Sequence, residues 1–113
     1  MVAFNKLSKA PPLPVEHGLK RLGENLRRAR VRRNLTIESA AARIGTGPRA
    51  VMDAEKGKPS TSVAVYAALL WLYDLLQPLE ELANPLKDKE GLAREAAKGR
   101  VRARMNIELD DDF

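Results

Sequence analysis

Residues 36–57 read TIESAAARIGTGPRAVMDAEKG, and two short helices joined by a glycine-bearing turn are legible in them. Thr36 is a good N-cap, because its hydroxyl accepts from a backbone N–H of the first turn, and Glu38 sits favourably near the positive end of the helix dipole. Ala41 and Ile44 fall on the inward face, and Gly45 stops the helix. Thr46 and Gly47 form the turn. Pro48 suits the first position of a following helix, where its missing N–H costs nothing. That second helix runs to about Lys56 with Val51 and Ala54 inward, and Gly57 closes it.

Upstream, Leu19, Leu22, Leu26 and Ala29 fall at i, i+3, i+7 and i+10 on one helical face, with Lys20, Arg21, Arg27, Arg28 and Arg32 opposite. Asn34, tolerant of the left-handed conformation, ends this helix. Before it, Pro11, Pro12 and Pro14 and the lack of periodicity make residues 1–17 read as a flexible N-terminal arm. Downstream of the Lys58-Pro59-Ser60-Thr61 loop, Ser62 caps a fourth helix carrying Val65, Leu69 and Leu72, with Tyr66 and Trp71 beside them. Pro78 opens a short fifth helix through Leu79 and Leu82, and Asn84-Pro85 breaks it. A weaker helix follows from about Glu90 to Lys98.

The last segment changes period. Val101, Ala103, Met105, Ile107 and Leu109 alternate with polar residues, a strand pattern after five helical ones. A lone strand must find a partner for its backbone, and the same strand of a second subunit is the simplest one. The closing Asp110-Asp111-Asp112-Phe113 reads as a solvated acidic tail with one apolar residue. The expected organisation is therefore the arm (1–17), a helical unit (18–85) and a C-terminal region (86–113) with a helix, a dimerisation strand and the tail. The Leu69-Leu70-x-Leu72 and Leu75-Leu76 run is richer than one small core needs, and the excess points to a dimer interface.

Composition narrows the function. At 113 residues the chain has room for one domain, which buries about two-thirds of its unfolded surface. Aromatic content of 4% suits packed helices. The chain has no cysteine, no apolar run that spans a bilayer and no signal-peptide stretch, so a cytoplasmic protein is expected. From Lys20 to Lys58, eleven basic residues face four acidic ones, whereas Pro59 to Leu92 is net acidic, so the first half suits phosphates. The one histidine, His17, lies beside Glu16 in the arm, and no phosphate loop or nucleophile–base pair appears. Glu80 and Glu81 are adjacent and point apart. No enzyme, cofactor or metal is expected.

Two short helices joined by a tight turn are the helix-turn-helix layout, whose second helix enters the major groove. Here the chain resembles the lambda-repressor-like (XRE-type) family from about Leu22 to Leu76, on Leu22-Gly23, Arg30, Leu35-Thr36, Ala41, Gly45, Val51 and Glu55-x-Gly57. Ser62-Val63, Tyr66, Leu70-Trp71-Leu72 and Asn84-Pro85 with Gly91-Leu92 further resemble HipB-like antitoxins, dimeric repressors encoded beside a HipA-like kinase toxin. The resemblance implies an all-α, five-helix domain acting as a homodimer on a palindromic operator, with a kinase toxin as a further partner. A stand-alone regulator, or an interaction module that has lost specific DNA reading, is the alternative.

Position by position, the resemblance implies a partly buried salt bridge between Arg30 and Glu55, and places Pro48, Arg49, Met52 and Asp53 on the groove-facing side. Arg49 is the leading reader, because a guanidinium bonds bidentately to guanine O6 and N7. Asp53 accepts from cytosine N4 or orients Arg49, four residues before it. Lys56, Lys58 and Ser60 are expected at phosphates, with Arg27, Arg28, Arg33 and Arg43 as further candidates. Two positions depart from the family pattern: Ile37 stands where a glutamine is frequent, and Pro48 where a polar residue is usual.

Overall fold

Small side chains let the helices of this protein approach closely. In a computed structural model, residues 6–111 are described, with side chains through residue 107. The helices are α1 (Lys6–Lys9), α2 (Leu13–Arg32), α3 (Ile37–Ile44), α4 (Pro48–Glu55), α5 (Val63–Leu72) and α6 (Lys89–Asp111), with a 3₁₀ turn at Gln77–Glu81. No described helix is long and apolar enough to cross a membrane. The chain divides into two units, Met1–Leu79 and Glu80–Phe113. Leu79 and Leu82, expected on a short fifth helix, are exposed.

In the first unit, α4 packs against α2, α3 and α5. The core is Leu26 and Ala29, Ala40 and Ala41, Val51 and Ala54, Tyr66 and Leu69, and Tyr73, with Leu22, Leu35, Ile37 and Ile44 packed around it. Four alanines among these nine core residues set the short helix separations. The closest approach is where α2 crosses the end of α4. A Cβ on Gly23 would lie 2.6 Å from the carbonyl oxygens of both Ala54 and Glu55, so only glycine fits there. Gly57 faces it with φ +68°, and a side chain there would meet the Leu19 carbonyl.

The local signals act as read. Thr36 Oγ1 accepts from Ser39 N at 3.0 Å, and Ser62 Oγ from Ala64 N at 3.1 Å. Gly45 caps α3 in the left-handed region at φ 82°, and Asn34 adopts φ 56° after α2.

Three expectations are corrected. First, the arm is not wholly irregular: α1 forms one turn and α2 begins at Leu13, six residues before the periodic pattern. Pro14 lies in the first turn, where a missing N–H breaks no helical bond, and Glu16 pairs with Lys20 at 3.2 Å. Residues 1–5 of the arm lie outside the described residues. Second, the fifth helix is a 3₁₀ turn that ends at Glu81: Ala83 takes φ 59°, and Asn84 bonds Glu81 through its amide and the Leu86 N–H through its oxygen.

Third, the C-terminal strand is absent: residues 101, 103, 105, 107 and 109 all lie within α6. Asp88 Oδ1 accepts from Gly91 N at 2.9 Å and so caps this helix. Extension through Ala-, Arg- and Glu-rich sequence then adds a backbone bond per residue, whereas a solitary strand would leave its ladder unpaired. The side chains of Val101, Ala103, Met105 and Ile107 are exposed on this helix. The Leu109 side chain, and Asp112 and Phe113 of the expected tail, lie outside the described residues.

Candidate nucleic-acid interface

The site is built on α4, and an ion pair fixes that helix. Arg30 of α2 reaches across to Glu55, the last residue of α4, through Nε to Oε2 at 2.7 Å and one terminal nitrogen to Oε1 at 3.0 Å. Its other terminal nitrogen donates to the Leu35 carbonyl at 2.8 Å, so one guanidinium ties α2, α4 and the turn between α2 and α3 together. Both side chains are largely buried, at 12% and 7% exposure. The hydrogen bonding of its guanidinium to the Glu55 carboxylate is the main reason that the Arg30 pKa rises above its ordinary value. Bidentate geometry of this kind resists rotation of one helix on the other.

Held this way, α4 presents its first turn outward. Pro48 and Arg49 are exposed, the Arg49 side chain at 82%, and Met52 is exposed one turn on. Asp53 is half-buried between two cations: Lys58 Nζ is 3.1 Å from Oδ1 and Arg49 Nε 3.6 Å. That oxygen is screened from solvent and makes no aligned hydrogen bond, so its partners are ionic. The structure thus brings Arg49, Asp53 and Lys58 into one charged row. Lys56 and Ser60 are exposed at the end of α4 and in the following loop, and Arg43 is exposed near the end of α3.

Of the candidate residues, Ile37 turns inward and the exposed Arg33 is tied back to the helix ends beside it. Ile37, at the first position of α3, is partly buried against the core. Arg33, a candidate for phosphate contact, donates to the carbonyls of Ala29 at 2.9 Å and Tyr73 at 2.8 Å, with its guanidinium 5.5 Å from the Tyr73 ring centre. It locks the end of α2 to the end of α5. Arg27 and Arg28 remain exposed and line an open groove with Glu24, Val31 and Glu55.

Sequence reasoning missed what anchors the loop after α4. The Tyr66 hydroxyl donates to the Lys58 carbonyl at 2.9 Å, so the buried face of α5 positions the segment bearing Lys58 and Ser60. A tyrosine on an inward helical face signals such a bond, because a buried hydroxyl seeks a partner, but spacing alone does not identify the acceptor. Burial raises the pKa of Tyr66 and, likewise, of Tyr73.

The arrangement offers a rigid helix with an exposed guanidinium at its start and cations beyond its end. It fits a duplex groove about 12 Å wide, with phosphates on either wall. A family model described as a helix-turn-helix domain matches residues 21–83, more than half of the chain. No curated protein and no solved structure matches it.

Proposed function

The chain belongs to the helix-turn-helix domain family, and on that premise we propose that it is a sequence-specific transcriptional repressor that reads a palindromic operator as a homodimer. The observation that carries this reading is the exposed Arg49 on the first turn of a helix clamped by Arg30 and Glu55. Such an arginine reads guanine in the major groove, and a fixed helix makes the reading selective. Asp53 restrains Arg49 from the same face, and Lys56, Lys58, Ser60 and Arg43 take phosphates. The dimer is supported by α5, whose sequence VAVYAALLWL carries no charge although Val63 and Trp71 are 74% and 62% exposed. A helix apolar on all sides is one that is covered. Two recognition helices about 34 Å apart would then meet successive turns of one duplex face.

The antitoxin role is a narrower form of this proposal. It rests on the similarity of residues 62–92 to HipB-like proteins, and a kinase gene beside this one, with its product bound by this chain, is its test. A second reading, a protein-interaction module without specific DNA reading, draws on Ile37 facing the core and on Pro48 lacking a donor.

The deciding experiment is fluorescence anisotropy with DNA from just upstream of the gene, a scrambled duplex and an Arg49→Ala variant. The repressor reading expects preference for the native fragment, and a loss of about 1–3 kcal/mol in the variant, roughly 5- to 150-fold. Equal, weak binding to both duplexes overturns it in favour of the interaction module.

A further inference from the structure

Helix α6 lies in the second unit, beyond the residues that the helix-turn-helix family model matches. It runs 23 residues, Lys89–Asp111, and none of its described side chains is buried. Its large apolar side chains form no single stripe: Leu92, Val101, Met105 and Ile107 are all exposed, and at 100° per residue Val101 and Met105 share one side while Leu92 and Ile107 lie on the opposite one. This is the pattern neither of a helix docking into a groove nor of one lying on a membrane. Between Arg94 and Arg104 positive charge dominates, before the acidic Glu108, Asp110 and Asp111 at the end of the helix. Arg94, Lys98 and Arg102 recur every four residues down one flank, and Arg100 and Arg104 down the other, against Glu90 and Glu95 in the same stretch. Arg94 pairs with Glu90 at 2.6 Å, whereas Lys98, Arg100, Arg102 and Arg104 make no ion pair with described side chains.

We propose that α6 is a second, sequence-independent DNA-binding element, whose Lys98, Arg100, Arg102 and Arg104 neutralise phosphates of the duplex that α4 reads. The inference rests on the DNA-binding reading above. A helix with its side chains is about 10–12 Å across, so cations on opposite flanks reach both phosphate walls of one groove. The partner is already at hand, because α6 is joined to the DNA-binding unit by a short segment, and binding by one raises the effective concentration of the other. An isolated helix of mixed composition is marginal in water, and charge neutralisation along the duplex stabilises it.

The test compares the parent protein with a variant carrying Lys98→Gln, Arg100→Gln, Arg102→Gln and Arg104→Gln, on the upstream fragment and on scrambled duplex. Each phosphate contact contributes about 0.9 to the log–log salt slope, so the variant's slope falls by roughly 3–4. Raising salt from about 50 to 200 mM then costs the parent about a hundredfold more affinity than the variant. The loss is equal on both duplexes, and an Arg100→Lys, Arg102→Lys, Arg104→Lys variant keeps the parent's slope. Helix content by circular dichroism rises on adding duplex to the parent and less so in the glutamine variant. A slope unchanged in the glutamine variant, with the parent still preferring its operator, overturns this inference alone and directs the search to an acidic protein partner. A parent that binds no duplex overturns the DNA reading and this inference with it.

Discussion

Glu55 closes both fork hydrogen bonds on Arg30, and its removal strands a largely buried guanidinium. Glu55→Ala is therefore expected to cost about 3–5 kcal/mol, read as a lower urea midpoint with the slope of the transition unchanged. The tyrosines give the pH dependence at this scale. Burial raises the folded-state pKa of Tyr66 and of Tyr73, the two tyrosines of the chain, above their ordinary value near 10. Because the folded pKa lies above the unfolded one, this contribution to stability is complete below about pH 10 and is lost as pH rises beyond it. Tyrosinate absorbance and loss of helical circular dichroism should hence appear together in an alkaline titration. Tyrosinate forming in a still-helical protein would contradict the burial of both rings. The Arg30–Glu55 pairing follows in sequence only from the resemblance to a family pattern, since 25 residues separate the partners. Tyr66 announces a buried hydroxyl but not its acceptor on Lys58.

At the scale of elements, the crossing of α2 over the end of α4 sets the angle at which α4 leaves the body. Gly23 and Gly18 lie on the same helix in opposite circumstances: a Cβ at position 23 meets backbone oxygens of α4 at 2.6 Å, and one at position 18 meets nothing within 4 Å. Backbone cannot rotate away as a side chain can, so Gly23→Ala is expected to cost about 1–3 kcal/mol or more. Gly18→Ala is expected to stabilise by up to about 1 kcal/mol through helix propensity. Thermal denaturation of both variants checks the pair, and equal effects would remove the close crossing from the account. The α3–turn–α4 unit was readable because its determinants act within four residues: the Thr36 hydroxyl on Ser39 N, the left-handed Gly45, and Pro48 where no N–H is needed. Helix α6 was misread from residue 101 because alternation of apolar and polar side chains satisfies a strand pattern while the same residues extend a helix already capped at Asp88.

The molecule as a whole leaves apolar area uncovered on its first unit. Trp71, at 62% exposure, contributes little to the core formed by Tyr66, Leu69 and Tyr73. Trp71→Glu is thus expected to dissociate the proposed dimer while leaving the helical spectrum and unfolding of the monomer close to the parent's. Sedimentation velocity at matched concentrations reads the effect, and a variant that stays dimeric would move the interface off α5. Exposure decides such a matter, and exposure depends on which of several apolar faces the rest of the chain happens to cover.

By itself the sequence determined where the first unit's helices begin and end around the turn, the basic character of its first half, and the exposed place of Arg49 on the first turn of α4. Those features rest on caps, left-handed positions, proline chemistry and charge, all of which operate over a few neighbouring residues. Tertiary structure alone decided that Arg33 serves Tyr73 and Ala29, that Ile37 turns to the core, that Asp53 takes Lys58 as a partner besides Arg49, and that Tyr66 holds the loop beyond α4. Most of these contacts join residues far apart in sequence or compete for one side chain, and only the packed chain fixes which partner comes within reach.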